Sequence, residues 1–129
     1  MTYGQTSTAA APDPSAIPLR PNDRGYARIE MPATSVGCSI NTELVACQRF
    51  SGAWHDPTGQ LRHTVSVSTG GEFYWVDADL GELQGRVSLG YHTYSALGWT
   101  IFAQPGVTRF VSGHGGHGMT VDAERVTPF

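Results

Sequence analysis

Lysine is missing from this chain: all eight basic residues are arginine. No Schiff-base lysine can form, and no phosphate loop of the kind closed by a lysine. The arginines are scattered singly from Arg20 to Arg125 on a chain of net charge −3. Without a basic stripe, nucleic acid is not an expected partner. Charge of either sign is scarce, at 15% of residues against roughly 25% in ordinary soluble domains. Ser, Thr, Gly and Gln must cover the surface instead. No run approaches the roughly 18 apolar residues of a membrane helix, and the N-terminus carries no apolar signal core. There is no Gly-x-Ser-x-Gly nucleophile elbow and no Cys-x-x-Cys redox pair.

What is present reads as one ordinary domain of 129 residues. Residues 1–25 form a Pro/Ala/Ser/Thr-rich linker, extended or disordered. Pro12, Pro14, Pro18 and Pro21 remove backbone donors there and favour extended conformations. Ile17 and Leu19 are the members of that segment able to pack on the domain. Residues 26–129 read as a single β domain. Val65-Ser66-Val67-Ser68-Thr69 alternates with period two, then comes Gly70-Gly71, then Glu72-Phe73-Tyr74-Trp75-Val76. That pattern predicts a hairpin with a type I′ turn. Trp99 to Ala103 and Val107 to Val111 form a second hairpin around Pro105-Gly106, a type II turn. Gly118 to Val121 is a further strand, and Thr34 to Phe50 holds another hairpin. Asp77 to Leu83 is a loop rather than a helix, because Gly81 interrupts it. Sixteen glycines and eight prolines punctuate the short runs. The expected fold is all-β: a small antiparallel sandwich or barrel-like domain built from hairpins, with little or no helix.

The two cysteines specify a register. With Thr42-Glu43 at the turn, Asn41 faces Leu44, Ile40 faces Val45, Ser39 faces Ala46 and Cys38 faces Cys47. For that two-residue loop the cysteines fall at a non-hydrogen-bonded pair. Their Cα atoms then sit roughly 4.5 Å apart, within reach of a disulfide. A four-residue loop keeps the partners and shifts the hydrogen-bonding parity. The bridge implies an oxidising compartment. The domain is therefore expected to be extracytoplasmic, secreted or held by an N-terminal anchor that is no longer attached.

Ser112-Gly113-His114-Gly115-Gly116-His117-Gly118 is the most unusual stretch. His114 and His117 could share a metal if His55, His63 or His92 supplied a third ligand. Four glycines in seven residues argue against a preformed site, so the pair is read as structural, and no metal or cofactor is expected. Asp77-Ala78-Asp79-Leu80-Gly81-Glu82 echoes the start of a calcium loop but lacks the acidic residue that would close it. It reads as a solvated acidic turn.

Several segments together resemble a family of small exported actinobacterial, especially mycobacterial, disulfide-containing β domains of unknown function. They are Val36-Gly37-Cys38 with Cys47, Trp54-His55-Asp56-Pro57, Leu89-Gly90-Tyr91, Gly98-Trp99-Thr100-Ile101, and His117-Gly118-Met119 with Phe129. The similarity spans most of residues 34–129. Ile101 and Arg109 stand where the family has later cysteines, Met119 replaces an aromatic, and Leu89-Gly90-Tyr91 is inverted in order. The resemblance implies a divergent member, located at the cell envelope.

The functional expectation is a non-enzymatic module that binds a protein or cell-envelope ligand, with His114, His117, Trp99 and Tyr91 as candidate ligand-binding residues. The alternative is a small hydrolase or metal-binding enzyme using the His114/His117 loop. Of the aromatics Tyr74, Trp75, Trp99 and Phe102, at least two belong in the core. Any left exposed would mark a binding patch.

Overall fold

A computed structural model describes residues 15–129; residues 1–14 of the expected linker lie outside the described residues. Fourteen short strands follow one another along the chain. They are β1 (Ile17–Pro18), β2 (Ala27–Met31), β3 (Val36–Ile40), β4 (Leu44–Arg49), β5 (Trp54–His55), β6 (Leu61–Arg62) and β7 (Thr64–Ser68). Then come β8 (Phe73–Val76), β9 (Val87–Ser88), β10 (Thr93–Ala96), β11 (Trp99–Gln104), β12 (Val107–Ser112), β13 (Gly118–Asp122) and β14 (Val126–Pro128). A single 3₁₀ turn, Pro32–Thr34, is the only helical element among the described residues.

The fold is all-β, as its alternating runs require. One six-stranded sheet has the order β1-β10-β11-β12-β13-β14, a second has β8-β7-β4-β3-β2-β9, and β5-β6 form a separate hairpin. Every second residue of the main strands turns inward. Ile29, Cys38, Ile40, Val45, Cys47, Val65 and Val67 meet Trp99, Ile101, Phe110, Met119 and Val121 in one buried cluster. The two sheets thus enclose a single sandwich core.

The cysteine hairpin has the expected register: Ile40 pairs with Val45, Ser39 with Ala46 and Cys38 with Cys47. The bridge is formed, with the Cα atoms 4.1 Å apart, the close spacing of a non-hydrogen-bonded pair. At the turn, Asn41 N–H donates to the Leu44 carbonyl, while the Asn41 side-chain oxygen accepts from the Glu43 and Leu44 amides. The Asn41 carbonyl is left free to accept from the Trp99 indole N–H of the opposite sheet, at 3.0 Å.

Three features differ from the sequence reading. The β7–β8 hairpin forms, but its loop is Thr69-Gly70-Gly71. Gly71 N–H donates to the Ser68 carbonyl and Ser68 N–H to the Glu72 carbonyl. Of the two glycines only Gly71 takes a positive φ, 89°, so the turn is a bulged three-residue loop rather than type I′. Two positive φ angles in succession occur instead at Leu97 and Gly98, between β10 and β11. Secondly, two pairings are parallel: β1 on β10 and β2 on β9. Thirdly, the domain begins before residue 26. Ile17 and Pro18 pair with Tyr94 and Ser95, and Leu19 N–H donates to the Ser95 carbonyl. Residues 77–86 form a loop without helix.

Candidate functional site

The glycine-rich loop does not converge on a centre. His114 and His117 are both exposed. His114 lies beside Gly98, and His117 lies over Gly71, where an added Cβ would meet the imidazole Nδ1 at 2.7 Å. The His117 Nδ1 is 3.4 Å from the Phe129 carbonyl. The remaining histidines are elsewhere: His63 Nδ1 lies 3.1 Å from the Gly52 carbonyl, and His92 packs edge-on against Tyr94. Among the described residues no three His, Cys, Asp or Glu side chains come close enough to share a metal ion. The glycines serve backbone geometry: Gly116 N–H closes on the Ser112 carbonyl, and Ser112 N–H donates to the His117 carbonyl.

Trp99 leaves the list of surface candidates. It is 1% exposed and its indole N–H is spent on Asn41. Trp75 packs against the core beside Trp54 and Phe73, whereas Tyr74 is exposed. Trp54 is likewise buried, its N–H donating to the Asp122 carbonyl.

Tyr91 is different. It is 61% exposed and stands on the rim of a cavity of about 400 Å³ at one end of the sandwich. Three segments build the walls. Met31 with the 3₁₀ turn forms one side, Leu89-Gly90-Tyr91 the second, and the β11–β12 hairpin from Ala103 to Thr108 the third. Each is held by hydrogen bonds. Leu89 N–H donates to the Glu30 carbonyl, Ala103 N–H to the His92 carbonyl, and Gly90 N–H to the Tyr94 hydroxyl at 2.9 Å. Pro105-Gly106 turns the third wall back, as the sequence predicts. The 3₁₀ turn starts at Pro32 and ends on Ser35 in the left-handed region, and the Thr34 hydroxyl donates to the Met31 carbonyl.

The lining is mainly apolar: Met31, Pro32, Leu89, Ala103 and Val107. Thr108 is the polar exception. It shares the inward face of β12 with Phe110 and Ser112, is 3% exposed, and among the described residues its side chain has no hydrogen-bond partner. A mostly apolar cavity with one convergent polar group is how small-ligand sites are built, and this volume lies within their range. Alternation in the sequence identified the strands but not this cavity, because its walls come from segments far apart in the chain.

A larger hollow, about 630 Å³, lies between Gln48, Phe50, Asp79, Glu82 and Arg86. It is shallow, and the polar groups of Gln48, Asp79 and Arg86 are already engaged. Gln48 Nε2 donates to Asp79 at 3.2 Å, Leu80 N–H donates to Gln48 Oε1, and Arg86 pairs with Glu30. The Gly81 N–H holds the Asp79 carboxyl below the usual carboxylate range, with Gln48 assisting. This is the acidic turn of the sequence reading, tied to its own protein.

Comparison of the chain with protein-family models, with curated proteins and with solved structures returns no match.

Proposed function

We propose that this chain is an extracytoplasmic, non-enzymatic binding module of the cell envelope that takes an apolar group into the cavity beside Tyr91. The observation that carries this reading is the apolar, Thr108-bearing cavity at the open end of an otherwise filled sandwich. Its chemistry suits an alkyl or acyl chain, or an apolar side chain of a partner. Met31 supplies an adaptable wall, Tyr91 an amphipathic rim, and the Thr108 hydroxyl one polar contact for a carbonyl or hydroxyl. The Cys38–Cys47 bridge supports the oxidising location. So does the resemblance to exported actinobacterial β domains.

Decanoate titration followed by amide NMR tests the reading. The expected result is saturable shifts centred on Leu89, Ala103 and Val107. Ala103→Phe, on the inward face of β11 directly opposite Thr108, fills the cavity and should weaken binding at least tenfold while leaving the fold intact. Shifts that do not saturate, or that persist unchanged in Ala103→Phe, would overturn it.

A further inference from the structure

A sheet edge is a row of unpaired backbone donors and acceptors, and proteins blunt such edges with brevity, proline or charge. Three of the four outer edges of the two large sheets are blunted here. β1 has two residues and ends in Pro18, β9 has two, and β14 has three and ends in Pro128. The fourth, β8, is not. It has four residues, Phe73-Tyr74-Trp75-Val76, with no proline and no charge.

The register identifies its free groups. Glu72 is hydrogen-bonded to Ser68, so Tyr74 and Val76, opposite Ser66 and Thr64, direct their backbone groups toward β7. Phe73 and Trp75 direct theirs outward, and among the described residues those groups have no partner. Their side chains pack on the core, which anchors the edge in an extended conformation. Tyr74, 58% exposed, projects from the outer face.

We infer that β8 is a docking edge for an extended peptide segment of a partner protein, added as a further strand and flanked by basic residues. Charge complementarity selects the flanks: Glu72 stands at one end, and at the other the exposed Asp77 shares the Arg62 guanidinium with Asp56, two carboxylates on one cation, which leaves that end acidic as well. A second copy of this chain fits less well. In an antiparallel seam centred on Tyr74, Glu72 of each copy would lie opposite Val76 of the other and one residue short of its Asp77, so acidic ends would meet. A four-residue seam also spans only about 14 Å, too little for the roughly 1,200 Å² that stable interfaces bury. A peptide needs only main-chain bonds and side-chain contacts along its length. This edge is separate from the cavity walls, so the proposal stands independently of the ligand reading.

The test uses a capped Arg-Thr-Val-Thr-Val-Arg peptide and the oxidised protein, with hydrogen exchange read by NMR. Saturating peptide should slow exchange of the Phe73 and Trp75 amides at least tenfold. The same peptide with N-methylated alternate residues should give no protection, and a Glu-flanked version should bind at least fivefold more weakly. No protection at those amides, or equal protection by the N-methylated peptide, would overturn the proposal. Protection that rises with protein concentration without peptide would also overturn it, assigning the edge to self-pairing.

Discussion

Asp56 shows how one buried carboxylate can organise a segment that has little regular structure. It caps the β5–β6 turn by accepting from the Thr58 hydroxyl, the Thr58 and Gln60 amides and the Arg62 guanidinium. The Thr58 hydroxyl foremost, with Arg62 and the two amides, holds its carboxyl at about 2 against an ordinary 3.8. A depressed carboxylate stabilises the fold fully above its unfolded pKa and loses that contribution as pH falls through the folded one. Asp56→Asn should therefore lower the urea midpoint at pH 7, with the gap to the parent protein closing between about pH 4 and 2. A gap that stays constant over that range would count against the assignment. The sequence offered Trp54-His55-Asp56-Pro57 only as part of a resemblance. The partners of Asp56 lie within six residues, but their convergence depends on the turn. Trp99 and Tyr91 make the same point. Both are aromatic and near glycine, yet one is core and one is rim. Spacing alone cannot separate them.

At the scale of an element, the β3–β4 hairpin was the most legible part of the chain. Alternation places Cys38, Ile40, Val45 and Cys47 on one face, and only one register joins the cysteines directly. The bridge closes a loop of separation nine, for which loop entropy contributes about 2–3 kcal/mol. Replacing both cysteines by alanine should cost about that much in urea denaturation while leaving the Ile40–Val45 pairing detectable by NMR. Loss of the pairing would show that the bridge specifies register rather than only stabilising it. Shorter elements were invisible in advance. β1 and β9 have two residues each, too few for any periodicity. Their partners are far along the chain, Ile17 opposite Tyr94 and Ile29 opposite Val87. The β7–β8 turn was misread for a subtler reason. Gly-Gly permits positive φ at both positions, but Glu72 pairs with Ser68, and the loop then needs it only at Gly71.

Across the whole molecule, polar ties complement the apolar core in joining separate parts of the fold. The Trp99 indole bonds to Asn41 of the facing sheet, the Trp54 indole bonds to Asp122, and the Arg49 Nη1 donates to the carbonyls of Ala123 and Ala53. Arg49 runs from β4 to the turn after β13, and its Nε is buried without a partner. Arg49→Met should cost about 1.5–3 kcal/mol, the range for hydrogen bonds from a charged donor. Tryptophan fluorescence and far-ultraviolet dichroism should report the same shifted transition. Separate transitions would mean that Arg49 secures only its own corner.

Local chemistry in the chain was enough to specify the strands, the cysteine register, the Pro105-Gly106 turn and the all-β class. Each rests on a period of two or on turn residues within a few positions, interactions that act over short stretches of backbone. The cavity beside Tyr91, the lack among the described residues of a third ligand for the His114/His117 loop and the open β8 edge belong to the assembled fold. They depend on which distant segments meet across two sheets, and that is settled by burying one shared core rather than by any single stretch of residues.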